Sequence, residues 1–356
     1  MRTAIDLFAG AGGATQGLRD AGFVVLAAAE NDNNAAESFA ANHPDVIMAG
    51  DVRGIVPYRL RRFLGLQRGE LDILKACPPC QGFSSLTRTS SDPLRNDLVL
   101  DVLRFVLDFR PKAVIVENVP GLARDERLPI LLHAMEGAGY EHSTYTVDAR
   151  NFGVPQRRRR LIVLAVRRSI TSELPRDLQD LVPPQFDLSH RTAGEALDEL
   201  AKHLSPGDPC NRFRKSNPSV TARISAIPIG GDRFDLPPQH QLKCHTRLTE
   251  SGQSQRVGAT ASYGRVRTGE AAPTMTTRCT TPACGSFVHP TENRGLTLRE
   301  AATFQTFPPN YHFHGGYDSI ERQIGNAVPV RLATALGLVV QTMLTRASPF
   351  EKWMSA

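Results

Sequence analysis

Long apolar runs are missing from this chain. No stretch approaches the ~18 consecutive apolar residues of a membrane-crossing helix, which excludes an ordinary helical span. Nor does the start read as a signal peptide: Asp6 interrupts the first apolar stretch, and glycines and a charged helical pattern follow. Cysteine is sparse. Its six residues are scattered without the spacing of a disulfide framework, which fits a reducing compartment. No internal repeat and no low-complexity tract is present, so a repeat architecture is excluded as well. The expectation is a soluble, cytoplasmic protein.

What is present is enough for about two domains: 356 residues, 41% of them hydrophobic. The net charge of +6 and a pI near 9.1 favour a polyanionic partner without establishing one. The excess is local, since ten lysines and arginines stand against four acids between Cys210 and Glu270. A solvated basic surface would carry the same charge.

The first half alternates short apolar runs with helical patterns. Residues 3–8, 24–29, 71–76, 113–116 and 161–166 read as strands, and 14–21, 97–109 and 128–136 as helices. That alternation predicts an α/β fold with a mostly parallel sheet, whose ligands bind beyond the carboxyl ends of the strands. After about Pro175, prolines and glycines break up long elements, and short β-branched stretches such as 219–224 and 273–277 predict an irregular, β-rich smaller domain. Helices return at 297–305 and 330–344, with residues 323–329 read as the loop before the last. The expected division is 1–185 for the larger domain, 186–317 for the smaller, and 318–356 returning to the first.

Chemistry-bearing residues fall at the predicted strand ends. The loop Asp6–Gly13 opens a helix with glycines that let a ligand approach the backbone. The third glycine of a dinucleotide fingerprint is missing, because Thr15 stands there, so an NAD enzyme is demoted. Glu30 and Asp51 suit the ribose and adenine of an adenosine-containing cofactor. Cys77-Pro78-Pro79-Cys80 has the spacing of a redox pair or half a zinc site. No second such pair exists, Cys279 and Cys284 being five apart. Glu117-Asn118-Val119 and the run Arg157–Arg160 follow. In an extended segment Arg158 and Arg160 share one face. A thiolate, a carboxyl group and a guanidinium at three strand ends suit a polar heterocycle such as a pyrimidine.

The ordered series DLFAGAGG, PPCQGFS, ENV, NFGVPQRRRR, RGLTLREAATFQTFP and QIGNAVP closely resembles the DNA (cytosine-5)-methyltransferase family over residues 4–344. The resemblance implies a methyltransferase-type sheet with one antiparallel strand, a small target-recognition domain and S-adenosylmethionine as cofactor. It implies that Cys80 attacks carbon 6 of a flipped-out cytosine in double-stranded DNA. Glu117 would hold the ring nitrogen and amino group, and Arg160, with Arg158 second, would bind the base oxygen or order the nucleophile. Phe8, Gly10, Gly12, Gly13, Glu30, Asn31, Asp51, Pro79, Leu98, Asn326 and Val328 would line the cofactor. Asn31 departs from the aromatic residue that some members carry there. Residues 84–96 are expected to form a mobile loop over DNA. A monomer acting at a short specific sequence, beside a restriction endonuclease, is the implied setting. A tRNA-directed enzyme and an inactive DNA-binding relative are the alternatives.

Overall fold

Among the described residues seven strands form one sheet: β1 (Arg2–Leu7), β2 (Phe23–Ala29), β3 (Ile47–Met48), β4 (Ile73–Ala76), β5 (Ala113–Asn118), β6 (Tyr140–Asp148) and β7 (Arg159–Arg167). Their order is β3-β2-β1-β4-β5-β7-β6. All neighbours are parallel except those of β7, which runs against both β5 and β6. This is the mostly parallel α/β sheet that the sequence predicts. The structure is a computed structural model and describes residues 1–79, 97–171, 173–242 and 262–346.

The chain divides into two compact units. Residues 1–153, 159–189 and those from 328 onward form the first, and 154–158 with 190–327 form the second. In the first unit the strands alternate with helices α1 (Gly13–Asp20), α2 (Asn33–Asn42), α3 (Pro57–Phe63), α4 (Leu98–Phe109) and α5 (Arg127–Gly137). Apolar residues recur on one side of α4, so Val102, Phe105, Val106 and Phe109 bury against Leu7, Leu74, Val114 and Val116 of the sheet. Each such side chain contributes roughly 1.5–3 kcal/mol through burial.

The second unit holds helices α6 (Ala193–His203), α7 (Pro218–Ser225), α8 (Leu298–Phe304) and α9 (Tyr317–Asn326). The expected β-rich character is corrected: among the described residues this unit has isolated bridges and no strand longer than one. The stretch 219–224 is helical despite Val220, Thr221 and Ile224, because Asn217 caps the helix through Val220 N–H and Pro218 takes its first turn. A second correction concerns residues 323–326, which close α9 instead of forming a loop. The helix therefore clusters with the second unit, whereas the expected returning segment began at 318.

Helix α10 (Val330–Arg346) returns to the first unit and packs on α1. A Cβ at Gly17 would lie 2.4 Å from the Val330 carbonyl oxygen, and one at Gly337 would lie 2.7 Å from Ala21 Cβ. Glycine at both positions is what lets the two helices touch. By length and composition residues 317–346 could cross a membrane, but 78% of the qualifying window is buried, as in a core helix.

Candidate active site

Backbone register brings three strand ends into line. Leu7 pairs with Ala76, and Ala76 pairs with Val116, so Phe8, Cys77 and Glu117 follow together at the carboxyl edge. Paired residues of parallel strands share a face, and every second residue repeats it. Asp6, Lys75 and Cys77 therefore lie on the face of Ile115 and Glu117. Across the antiparallel pair Ile162 opposes Glu117. Arg160, two residues away, looks onto the same face.

The side chains meet accordingly. Arg160 Nε is 2.8 Å from Glu117 Oε1, and Cys77 Sγ donates to Glu117 Oε2 at 2.8 Å. The Glu117 side chain is only 3% exposed, so its charge is held by these partners and hardly by water. Two residues back along the same face, Lys75 Nζ is 3.0 Å from Asp6 Oδ1, both side chains being buried, and Thr15 Oγ1 donates to Asp6 Oδ2 at 2.8 Å. Burial opposes the Lys75 charge, yet Asp6, with Cys77 and Glu117 nearby, outweighs it and holds the ammonium group above its ordinary pKa. Asn118 Nδ2 donates to the Pro78 carbonyl at 3.1 Å, tying the β5 end to the segment after β4. Cys80 and residues 84–96 lie outside the described residues.

On the other side of β1, the loop before α1 carries Phe8, Gly10 and Gly12 at φ 59°, 57° and 97°. Gly12 is the left-handed cap of α1, and Gly13 its first residue. Phe8 adopts that region without glycine's freedom, an uncommon backbone state that the surrounding fold must hold. A Cβ at Gly10 would meet nothing within 4 Å, so open space adjoins this residue. Gly10 N–H donates to Glu30 Oε2 at 2.8 Å, while Glu30 Oε1 accepts from Asn31 N–H at 3.0 Å and Asp32 N–H at 2.8 Å. Burial raises the Glu30 carboxyl above its usual range, and these amides pull against it. Asp51 is clasped by Arg53, whose Nη2 lies 2.6 Å from Oδ2. The Arg53 side chain is the main cause holding the Asp51 pKa down at about 2, against some burial and with help from the Arg53 amide and the Asn31 side chain. Leu98, the first residue of α4, and Val328 are buried, and Pro79 is half-buried.

Arg158 and Asn326 belong to the second unit. The predicted alternation is present, since Arg158 and Arg160 are covered while Arg157 and Arg159 are exposed. Their partners differ, however. Arg158 donates to the Met275, Gly325 and Ala327 carbonyls at 3.0, 3.4 and 2.9 Å. Asn326 is exposed at the end of α9. Much of the basic stretch is internal too: Arg223, Arg233 and Arg265 are buried, and Arg214 pairs with Asp318 and Glu321. Lys243, Arg247 and Arg256 lie outside the described residues.

Sequence reasoning weighed Cys77 only as a redox or zinc partner and passed over Lys75. The available signal was a lysine inside the apolar strand Ile73–Ala76, opposite an equally isolated Asp6.

A carboxyl group held at both oxygens can meet the edge of a heterocycle in plane, accepting from an amino group with one oxygen and, when protonated, donating to a ring nitrogen with the other. A glycine loop with open space beside a carboxylate suits a ribose. Residues 2–342 match the model of a family described as C-5 cytosine-specific DNA methylase. Among curated proteins, the Type II methylase M.HgiDII of Herpetosiphon aurantiacus is 31% identical over 353 residues, spanning 96% of this chain and 94% of its own. The Type II methyltransferase M.PspPI of a Psychrobacter species is 33% identical, with 96% and 80% spanned. Among solved structures, a DNA modification methyltransferase encoded in an E. coli prophage covers 97% of this chain and 100% of its own at TM-score 0.68. Its 24% identity makes it a likeness of fold.

Proposed function

The chain belongs to the C-5 cytosine-specific DNA methylase family, and on that premise we propose how its residues divide the reaction. The substrate is a cytosine flipped out of duplex DNA at a short specific sequence, and the donor is S-adenosylmethionine. The observation that carries this reading is the buried Glu117 carboxylate at the carboxyl edge of the sheet, gripped by Arg160 and Cys77.

Carbon 5 of cytosine is a poor nucleophile while the ring is aromatic. Addition of the Cys80 thiolate to carbon 6 interrupts the ring and makes carbon 5 electron-rich. Negative charge then develops toward ring nitrogen 3, where Glu117, protonated as it meets the base, donates its O–H to that nitrogen while its other oxygen accepts from the amino group. A free thiol is only a few per cent ionised near pH 7, so deprotonation of Cys80 is coupled to its attack. Arg160 fixes the carboxylate and has guanidinium donors beyond those bound to Glu117 and the Arg159 carbonyl. After transfer, carbon 5 loses its proton and the Cys80 bond breaks, restoring the ring. Flipping the base costs a few kcal/mol in lost stacking and pairing. Arg158, bound to three carbonyls, is assigned a supporting part in the second unit.

The residues around Gly10 fit the cofactor. The open space beside Gly10, the Glu30 carboxylate and the Asn31–Asp51 pair offer a place for the methionine end, the ribose hydroxyls and the adenine amino group. Phe8, Gly12 and Gly13 shape that loop, and Pro79, Leu98 and Val328 supply apolar wall. When bound, S-adenosylmethionine supplies an electrophilic methyl group. A modification enzyme acting on the same site as a restriction endonuclease is the setting we infer, because the relatives are named Type II methyltransferases.

Transfer of labelled methyl to duplex DNA and, in parallel, to tRNA tests this, followed by base-resolved mapping of 5-methylcytosine. Label at one recurring DNA sequence, abolished by Cys80→Ala, is the expected result. Label confined to tRNA redirects the substrate, and transfer that survives Cys80→Ala removes the covalent step.

A further inference from the structure

Cys77 takes no part in the reaction above, yet its thiol meets the carboxylate on which that reaction depends. Sγ lies 2.8 Å from Glu117 Oε2, and Arg160 Nε lies 2.8 Å from Oε1. Neither contact is incidental to the fold. Cys77 directly follows Ala76, the partner of Val116, and Glu117 directly follows Val116, so the ladder itself sets the two side by side. Two residues below Glu117, the charges are already matched, because Lys75 is paired with Asp6. The carboxylate therefore has the thiol as hydrogen-bond donor on one oxygen, the Arg160 guanidinium as ion-pair partner on the other, and a buried cation farther off.

We propose that Cys77 is a positioning residue for Glu117: its thiol holds Oε2 while Arg160 holds Oε1, and together they fix the plane in which the carboxylate meets the base. This rests on the assignment of Glu117 made above. The terminal torsion of a glutamate is broad, so one donor leaves the carboxyl group free to swing. An ion pair at the opposite oxygen removes that freedom. Ring nitrogen 3 and the amino group of cytosine lie along one edge, and both are reached at once only by a carboxyl group lying in the plane of the ring. Each carboxylate oxygen offers about two lone-pair directions, so the thiol keeps its bond while the base takes the other. A thiol is a weak donor, but an ionised acceptor strengthens it.

The test uses the full chain with S-adenosylmethionine and bulk genomic duplex DNA. Cys77→Ala should lower kcat about tenfold with KM for S-adenosylmethionine unchanged, the size of one hydrogen bond to a charged group. Cys77→Ser, whose hydroxyl can donate to the same oxygen, should regain most of that loss. Infrared spectra give a readout independent of activity and of how well the Cys77 variants fold. The S–H stretch of Cys77 in the native chain should lie at the lowered frequency of a donating thiol and move to the non-donating position in Glu117→Ala. Cys77→Ala at the native rate, Cys77→Ser no faster than Cys77→Ala, or an S–H band indifferent to Glu117→Ala overturns the proposal. Glu117→Ala separates the two levels. Native transfer rates in that variant sink the assignment of Glu117 itself, whereas lost transfer there beside a native Cys77→Ala sinks only the role of Cys77.

Discussion

The same run of arginines serves two regions in opposite ways. At the sheet edge of the first unit, Arg160 binds the Glu117 carboxylate, in a region whose backbone is already satisfied by seven-stranded pairing. In the second unit, Arg158 binds three backbone carbonyls. Arg265 does the same more extensively, donating to the carbonyls of Ile224, Ile227, His289 and Glu292 and to the Asn293 side chain. Arg223 binds the His240 carbonyl, and Arg299 the Tyr311 carbonyl. Buried carbonyls need partners whether or not a sheet supplies them. Where strand pairing is sparse, guanidinium forks replace it. A positive charge count in such a region therefore overstates how much of it faces an anionic partner.

The two regions should differ most in their response to a change at Arg265. Arg265→Met leaves several buried carbonyls without donors and should destabilise the second unit by about 3 kcal/mol or more. Hydrogen exchange should show the loss confined to residues 190–327, and uniform loss across both units would mean that the guanidinium framework is not local. Next, Arg158→Lys and Arg160→Lys should separate. An ammonium group cannot reproduce either fork. Arg158→Lys should lower stability by about 2 kcal/mol and leave methyl transfer per folded molecule within about twofold. Arg160→Lys should slow transfer about 10- to 100-fold with little change in chemical unfolding. Equal effects of the two on rate would erase the distinction. The smallest effect belongs to the exposed pair at Asp51. Its folded pKa of about 2 lies below the ordinary 3.8, so the pair contributes stability above about pH 4 that is lost as pH falls toward 2. Arg53→Ala should remove that contribution, under about 1 kcal/mol for so solvated a pair, and acid unfolding curves would register it.

Strands buried on both faces were legible as apolar runs, which is why β1, β2, β4, β5 and β7 stand close to their expected places. The edge strand β6 was not, because Tyr140–Asp148 alternates polar and half-buried residues without an apolar run. Helix α7 was hidden by β-branched residues that its cap overrides. The end of α9 was hidden by Gly325, whose absent side chain is required because a Cβ there would lie 2.0 Å from the Thr276 carbonyl oxygen. At the site, Glu117 and Arg160 announced themselves by type and position. Cys77 and Lys75 did not, since their neighbours are fixed by register among three strands, which composition and spacing do not encode.

The contact between α1 and α10 has a consequence in time. Arg2 donates to the Gln341 carbonyl across 339 positions of chain. Synthesis from the N-terminus therefore delivers the glycine loop and the sheet edge long before the helix that seats α1. Until Val330–Arg346 leaves the ribosome, the matching surface of α1 stands open, and the first unit closes only after the second has been made. Such distant closure is slow to form, so a nascent chain paused within the second unit is the stage at which this protein most needs a chaperone.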